Sequence, residues 1–90
     1  MINEILDERG ARYGKFVDVA KAAWDIQGAI WKSLSREKLE SMSPDQIIAM
    51  DMICHKLARI VVGDADYLDN WVDIAGYAQL VADRLQGIEQ

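Results

Sequence analysis

Charged side chains that could do chemistry cluster in the middle of the chain. Asp51, His55 and Arg59 recur at every fourth residue, with Lys56 beside them. On a helix, residues four apart lie one above the other, so this spacing places a carboxylate, an imidazole and a guanidinium along one ridge. The ridge could bind a ligand or form only a ladder of salt bridges within the protein.

A pair of carboxylates further along the chain, Asp69 and Asp73, is also spaced by one helical turn. Two carboxylates at this spacing can hold a divalent metal or pair with basic residues on a neighbouring helix. Gly76 continues the same line, and its missing side chain would let a backbone or a ligand come close. The favoured interpretation is an internal network of ion pairs with Lys56 and Arg59. A site for Mg²⁺ or phosphate, and plain solvated charges, are the alternatives.

Three further residues complete the candidate binding set, while the common catalytic sets are missing. They are Arg9 and Tyr13 near the start of the chain and Tyr77, one turn after the second carboxylate of the pair. His55 is the single histidine, so no second imidazole can complete a typical zinc set. The sequence contains no Ser-His-Asp arrangement, no glycine-rich phosphate loop and no Cys-x-x-Cys motif. We therefore assign no catalytic residue and expect no cofactor unless the carboxylate pair holds Mg²⁺.

The segments that must position these residues are all predicted to be helical. A short first helix is expected over about Asn3 to Arg9, with a bend where Gly10 and Gly14 interrupt it. A long second helix, from about Lys15 to Leu34, carries an amphipathic stripe. The segment from Ser35 to Met42 is a polar connection with room for one turn of helix.

The clearest start signal in the chain opens the third predicted helix. Ser43 as N-cap, Pro44 at the first helical position and Gln46 at the third form a capping box. The helix should reach Val62, and Gly63 suits the left-handed position that follows a helix end.

A fourth helix is predicted from about Tyr67 to Gln86, after a turn at residues 64–66. Its apolar positions repeat almost as heptads. These elements predict an all-α fold, a small antiparallel bundle of three to four helices that forms a single domain over residues 1–90. More than about 70% of the residues should be helical, against about a third in an ordinary globular domain.

The third predicted helix is apolar over much of its circumference. Ile47, Cys54 and Val61 lie on one face, yet Ile48 and Met52 lie off it. A helix of this kind is buried on more than one side, and a chain this short buries only about 60% of its unfolded surface. We therefore expect a homodimer that completes the bundle, with a compact monomer as the alternative.

Charge and hydropathy limit the partners of the protein. The net charge is −5 and the pI near 4.6, whereas nucleic-acid binding depends on basic surface. We expect no direct binding to nucleic acid. The sequence has neither a run of about 18 apolar residues nor the start of a signal peptide. We therefore expect no membrane association and a cytoplasmic location.

Three blocks of sequence carry a recognisable pattern: LDERGARYG at 6–14, DMICHKLARI at 51–60 and GDADYLDNWVDIAGYA at 63–78. In order and spacing they resemble a family of short, uncharacterised phage and prophage proteins. The resemblance implies a phage-encoded protein that acts in the host cytoplasm. It implies no activity, because that family has no established function.

The positions of Asp51, Asp69 and Asp73 on two successive predicted helices carry a looser resemblance, to the all-α nucleotide pyrophosphohydrolases of the MazG type. Those enzymes are small helical oligomers that bind Mg²⁺ through a Glu-Glu-x-x-Glu motif on one helix and a Glu-x-x-Asp motif on the next. This chain has no adjacent glutamates and offers Asp69-x-x-x-Asp73 in their place. Only Asp51 stands on the preceding helix.

Two functions from different classes follow. The first is a small phage-type accessory protein, a non-enzymatic helical module that binds a host or phage protein or joins a nucleic-acid-handling complex through its acidic surface. The second is a MazG-like protein that binds or hydrolyses nucleotides, with Asp69 and Asp73 holding Mg²⁺ and Lys56 and Arg59 holding phosphate oxygens. The first is favoured, and convergence of Asp51 with the carboxylate pair on one cavity would favour the second.

Overall fold

The computed structural model describes residues 2–88, and helices are the only regular secondary structure in this range. It is 84% helical, and the described residues contain no strand. The predictions of an all-α fold and of more than about 70% helix are therefore confirmed. The helices are α1 (Ile2–Tyr13), α2 (Phe16–Ser33), α3 (Arg36–Ser41), α4 (Pro44–Val62) and α5 (Leu68–Leu85).

Helix α4 is the centre of the arrangement. It packs against α2 on one side and α5 on the other, and α1 contacts α2 and α4. Within the described residues α2 and α5 make no contact with each other, so the three long helices form an open layer. The apolar pattern of α4 predicted burial on more than one side, and both covering helices belong to the same chain.

Local capping explains where the middle helices begin. The backbone N–H of Ser43 donates to Oε1 of Gln46 at 3.0 Å, and Pro44 occupies the first turn of α4, as the capping box predicted. One turn of helix was foreseen in the polar connection before it. There Ser35 caps α3 by accepting a hydrogen bond from the backbone N–H of Lys38 at 3.0 Å.

The first helix is longer than predicted. It runs through Gly10 and ends at Tyr13, so the expected end at Arg9 is wrong. A single glycine costs a helix only about 1 kcal/mol, which is too little to end it. The helix ends just before Gly14, whose φ of +87° is the left-handed conformation that glycine adopts without strain.

Gly63 ends α4, but its predicted left-handed conformation is wrong. Its φ is −99°, and the need for glycine comes from a close backbone approach. A Cβ at Gly63 would lie 2.6 Å from the carbonyl oxygen of Arg12, and one at Gly14 would collide with Val62. The backbone N–H of Asp64 also donates to that Arg12 oxygen at 2.9 Å. The turn after α1 is therefore held against the end of α4.

The core is thin and consists mostly of small residues. The buried apolar residues of the described chain are Ala23, Ala49, Cys54, Ala58 and Ile60. Burial raises the pKa of the Cys54 thiol, with a further contribution from Asp51. No helix within residues 2–88 is long and apolar enough to cross a membrane. Because the core is thin, large apolar side chains remain at the surface.

Candidate functional site

A cleft of about 860 Å³ lies between α1, the first half of α2 and the second half of α4. It brings together four of the predicted binding residues, Arg9 and Tyr13 from α1 with His55 and Arg59 from α4. The sequence predicted that His55 and Arg59 lie on one ridge, but it did not place Arg9 and Tyr13 near them. The cleft is the largest grouping of candidate residues in the described structure.

Helix α1 is held in place by the residues at its C-terminal end. Arg12 donates to the Tyr67 hydroxyl at 3.1 Å, and its guanidinium lies 5.1 Å from the centre of that ring. Tyr13 meets Tyr67 edge to face, with ring centroids 5.5 Å apart. Arg12 also pairs with Glu8 at 3.1 Å. These contacts join α1 to the residues just before α5 and so position the Tyr13 wall of the cleft.

Arg59 lies over the face of Tyr13. Its guanidinium carbon is 4.6 Å from the ring centroid, within the range of a cation–π interaction. Arg59 is half-buried, and its guanidinium makes neither an ion pair nor a hydrogen bond within residues 2–88. The ring therefore orients the guanidinium while its N–H donors stay available.

The predicted ridge of Asp51, His55 and Arg59 faces the α2 side of α4, but it is not a salt-bridge ladder. Asp51 accepts a hydrogen bond from Nε2 of Gln27 on α2, and Arg59 contacts Tyr13. His55 is exposed at the wall of the cleft. Asp51 and Arg59 thus make contacts with different helices, and of the three residues only His55 and Arg59 line the cleft.

Lys56 and Asp73 form the predicted ion pair on the opposite side of α4. The Nζ of Lys56 lies 3.0 Å from Oδ2 of Asp73, and Lys56 is only 8% exposed. Arg59 takes no part in this pair. Asp69 accepts instead a hydrogen bond from the Tyr67 hydroxyl at 3.0 Å. The two carboxylates of α5 are therefore each engaged with a different neighbour.

Asp51, Asp69 and Asp73 do not converge on one cavity. Asp51 contacts α2, whereas Asp73 contacts the other side of α4. Among the described residues, no group of three or more His, Cys, Asp and Glu side chains is placed to hold a metal ion. Tyr77 lines a separate cavity of about 620 Å³ between α4 and α5. No arrangement in this part of the chain favours the Mg²⁺ alternative over the ion pair.

Four exposed apolar side chains from three helices share one side of the layer, and we call them the apolar face. Ile48 of α4 lines a cavity of about 250 Å³ with Trp31 and one of about 620 Å³ with Leu80. Trp24 lines the cleft with His55, two turns beyond Ile48 on the same side of α4. The exposures of Trp24, Trp31, Ile48 and Leu80 are 76%, 51%, 59% and 47%.

Sequence reasoning missed two polar residues of the cleft and one contact that closes the layer. Lys15 and Gln27 line the cleft, yet each stands alone in the sequence without a motif. At the far end of the layer, Arg84 of α5 pairs with Asp45 at the start of α4 at 2.8 Å. A carboxylate in the first turn of one helix and a cation in the last turn of another are ordinary helix-end residues, so no signal marked them as partners.

Comparison with known proteins places the chain in a family. A family model described as a domain of unknown function, DUF6378, matches residues 2–85, and the chain belongs to that family. No curated protein and no solved structure matches it. The family match confirms the resemblance to uncharacterised proteins. The phage origin and the likeness to MazG-type enzymes remain expectations.

Proposed function

With membership of a family of unknown function as the premise, we propose that this protein is a non-enzymatic helical binding module that acts as a homodimer and engages a further protein. The proposal keeps the role of a small phage-type accessory protein that the sequence resemblance implies. The accessible surface of the chain is the observation that carries it.

The surface is larger than a monomer of this mass should expose. The chain exposes 6805 Å² at 10.2 kDa, whereas a compact monomer of this mass exposes about 5,300 Å². The radius of gyration is 15.1 Å, against about 12 Å for a compact chain of this length. If two copies each covered the excess, the interface would bury roughly 3,000 Å² in total, within the range of obligate homodimers.

The apolar face supplies the chemistry for such an interface. Its two tryptophans belong to the residue types enriched at the centres of protein interfaces. Large exposed apolar patches are rare on soluble monomers and usually mark interaction sites. Gly76, near Leu80 on α5, has open space around the position of a Cβ, so a second chain could approach there. A second copy provides a matching apolar surface through two-fold symmetry.

Sedimentation of the purified chain tests the oligomeric half of the proposal. We expect a species of about twice 10.2 kDa at low micromolar concentration. Ile48→Asp and Trp31→Asp should shift the protein towards monomer, because each places a charge within the apolar face. Lys21→Asp, on an exposed part of α2, is the matched control and should stay dimeric. A wild-type species of single-chain mass at high micromolar concentration would overturn the proposal.

A hydrolysis assay tests the non-enzymatic half. We expect no release of pyrophosphate from any common nucleoside triphosphate in the presence of Mg²⁺ or Mn²⁺. Release that disappears in an Asp73→Asn variant would contradict the proposal and support the MazG-like alternative. An Asp25→Asn variant, changed at an exposed carboxylate of α2, controls for contaminating activity in the preparation.

A further inference from the structure

Arg59, like Arg9, makes no ion pair with a carboxylate among the described residues, in contrast to the other three arginines. Arg12 pairs with Glu8, Arg36 with Glu40 and Arg84 with Asp45. Arg59 is half-buried, yet the described chain gives it only the face of Tyr13. A guanidinium that has lost part of its hydration gains free energy when an anion reaches it.

The surroundings of Arg59 are positive although the protein is negative. Arg9 and Lys15 line the same cleft, and Asp7 is its one carboxylate. His55 stands one turn before Arg59 on α4. A chain of net charge −5 has thus gathered cations at one concave place. Such a surplus raises the local concentration of anions and favours their binding.

The remaining walls of the cleft are apolar and partly aromatic. Phe16 and Trp24 of α2 stand on the rim, and Ala20 and Ala23 leave room between them and α4. The volume of about 860 Å³ lies within the usual range for small-molecule sites, which combine apolar walls with a few polar groups. A ligand that matches both parts carries a charge at one end and a flat ring at the other.

We propose that the cleft binds a small organic anion, a carboxylate or phosphate joined to an aromatic ring. The Arg59 N–H groups donate to the anion oxygens, and the ring packs against Trp24 and Phe16. The planar guanidinium presents two parallel donors to a carboxylate or a phosphate, and its contact with the Tyr13 ring fixes its orientation before the anion binds. Neither Asp69 nor Asp73 lines this cleft, and the proposed site needs no metal. It is independent of the proposed dimer in its chemistry, although Trp24 belongs to both surfaces.

Titration of the wild-type protein with defined probes tests this site. Phenyl phosphate and phenylacetate supply the ring with either anion, benzyl alcohol supplies the ring alone and inorganic phosphate the anion alone. Because ring and charge both contribute, we expect at least one aromatic anion to bind at least about tenfold more tightly than either single-feature probe. Tryptophan fluorescence and calorimetry measure the affinities. The absence of binding by both aromatic anions up to about 10 mM would overturn the proposal.

Variants separate a guanidinium site from a merely apolar pocket. Arg59→Ala should weaken the better aromatic anion at least about tenfold, and Arg59→Lys should weaken it less, because lysine keeps the charge but loses the paired donors. Arg36→Ala, an exposed arginine of α3, should leave the affinity unchanged. Equal binding by wild type and both Arg59 variants, with circular dichroism confirming their fold, would overturn the assignment. Sedimentation of the same samples reports the dimer separately, so either proposal can fail alone.

Discussion

The two sides of α4 are built by different means. On the α5 side, ion pairs hold the helices together near the middle and at one end, through Lys56 with Asp73 and Arg84 with Asp45. On the α2 side, packing of small residues such as Ala23 is joined by the Gln27 to Asp51 hydrogen bond. The α5 side satisfies its charges internally, whereas the α2 side leaves cations available in the cleft. The difference separates a structural interface from a binding one.

The α5 side also carries polar groups that cost stability. Asn70 is fully buried, and neither atom of its side-chain amide has a hydrogen-bond partner in the described structure. Buried polar groups without partners cost about 1–3 kcal/mol each. Because part of this interface works against folding, its stability depends on the ion pairs more than an apolar interface would.

The largest effect of a single substitution should therefore come from Asp73→Asn. This change leaves the ammonium of Lys56 buried without its carboxylate, and Asp73 itself is partly exposed. We expect the free energy of unfolding to fall by roughly 2–3 kcal/mol, between about 1 for an exposed pair and about 3–5 for a buried one. Chemical denaturation with and without millimolar Mg²⁺ measures it.

The Mg²⁺ arm decides between the ion pair and a metal site. If Asp73 serves the ion pair, Mg²⁺ should leave the free energy of unfolding of both wild type and Asp73→Asn unchanged. If it served a metal, wild type alone would gain stability from Mg²⁺, and Asp73→Asn would be as stable as wild type or more so in its absence. Asp69→Asn, which removes the neighbouring carboxylate but not the pair, is the matched control and should lose little stability.

On the α2 side the expected sensitivity is to size, not to charge. Ala23 is 3% exposed in the middle of α2, so Ala23→Leu forces extra methylene groups into a close contact. We expect a loss of about 1–2 kcal/mol. Ala29→Leu, at an exposed position of the same helix, should cost almost nothing. Equal unfolding midpoints for both variants would show that α2 is packed too loosely for the comparison to hold.

The fold was predictable from the sequence wherever the signal was local. The capping box at Ser43 and the three-and-four periodicity of the long helices depend on neighbouring residues, and α4 and α5 begin and end within one residue of the expected positions. The error at Arg9 came from giving Gly10 too much weight as a helix breaker, whereas the error at Gly63 arose because distant backbone decides its conformation. The fit of Gly63 against the end of α1 involves residues about 50 positions apart, which no local pattern contains.

The sequence offered candidate residues for a site but did not predict their arrangement. The spacing of Asp51, His55 and Arg59 correctly placed them on one side of α4. It could not show that Arg59 would lie over Tyr13, because that contact depends on how α1 crosses the bundle. Because the sequence does not give the angle at which α5 packs on α4, it also left open whether Lys56 or Arg59 would pair with Asp73. Spacing alone therefore predicted which residues share a helix face, but it did not determine which residues meet between helices.

The smallest expected effect concerns the pair at the end of the layer, and its size depends on pH. Hydrogen bonds from Arg84 and Ser43 lower the pKa of Asp45 to about 2 from the ordinary 3.8. A carboxylate with a lowered pKa in the folded state stabilises the fold above its unfolded value and loses that contribution as the pH falls towards the folded value. Asp45→Asn should therefore lower the thermal midpoint slightly at pH 7, by less than Asp73→Asn, because the partner Arg84 is about half exposed whereas Lys56 is buried. The difference between wild type and variant should shrink from about pH 4 downwards and be small by about pH 2. Asp25→Asn, at an exposed carboxylate of α2, is the control for removing a surface charge. A difference for Asp45→Asn that is as large at pH 2 as at pH 7 would mean that packing, not charge, joins α5 to α4 at this end.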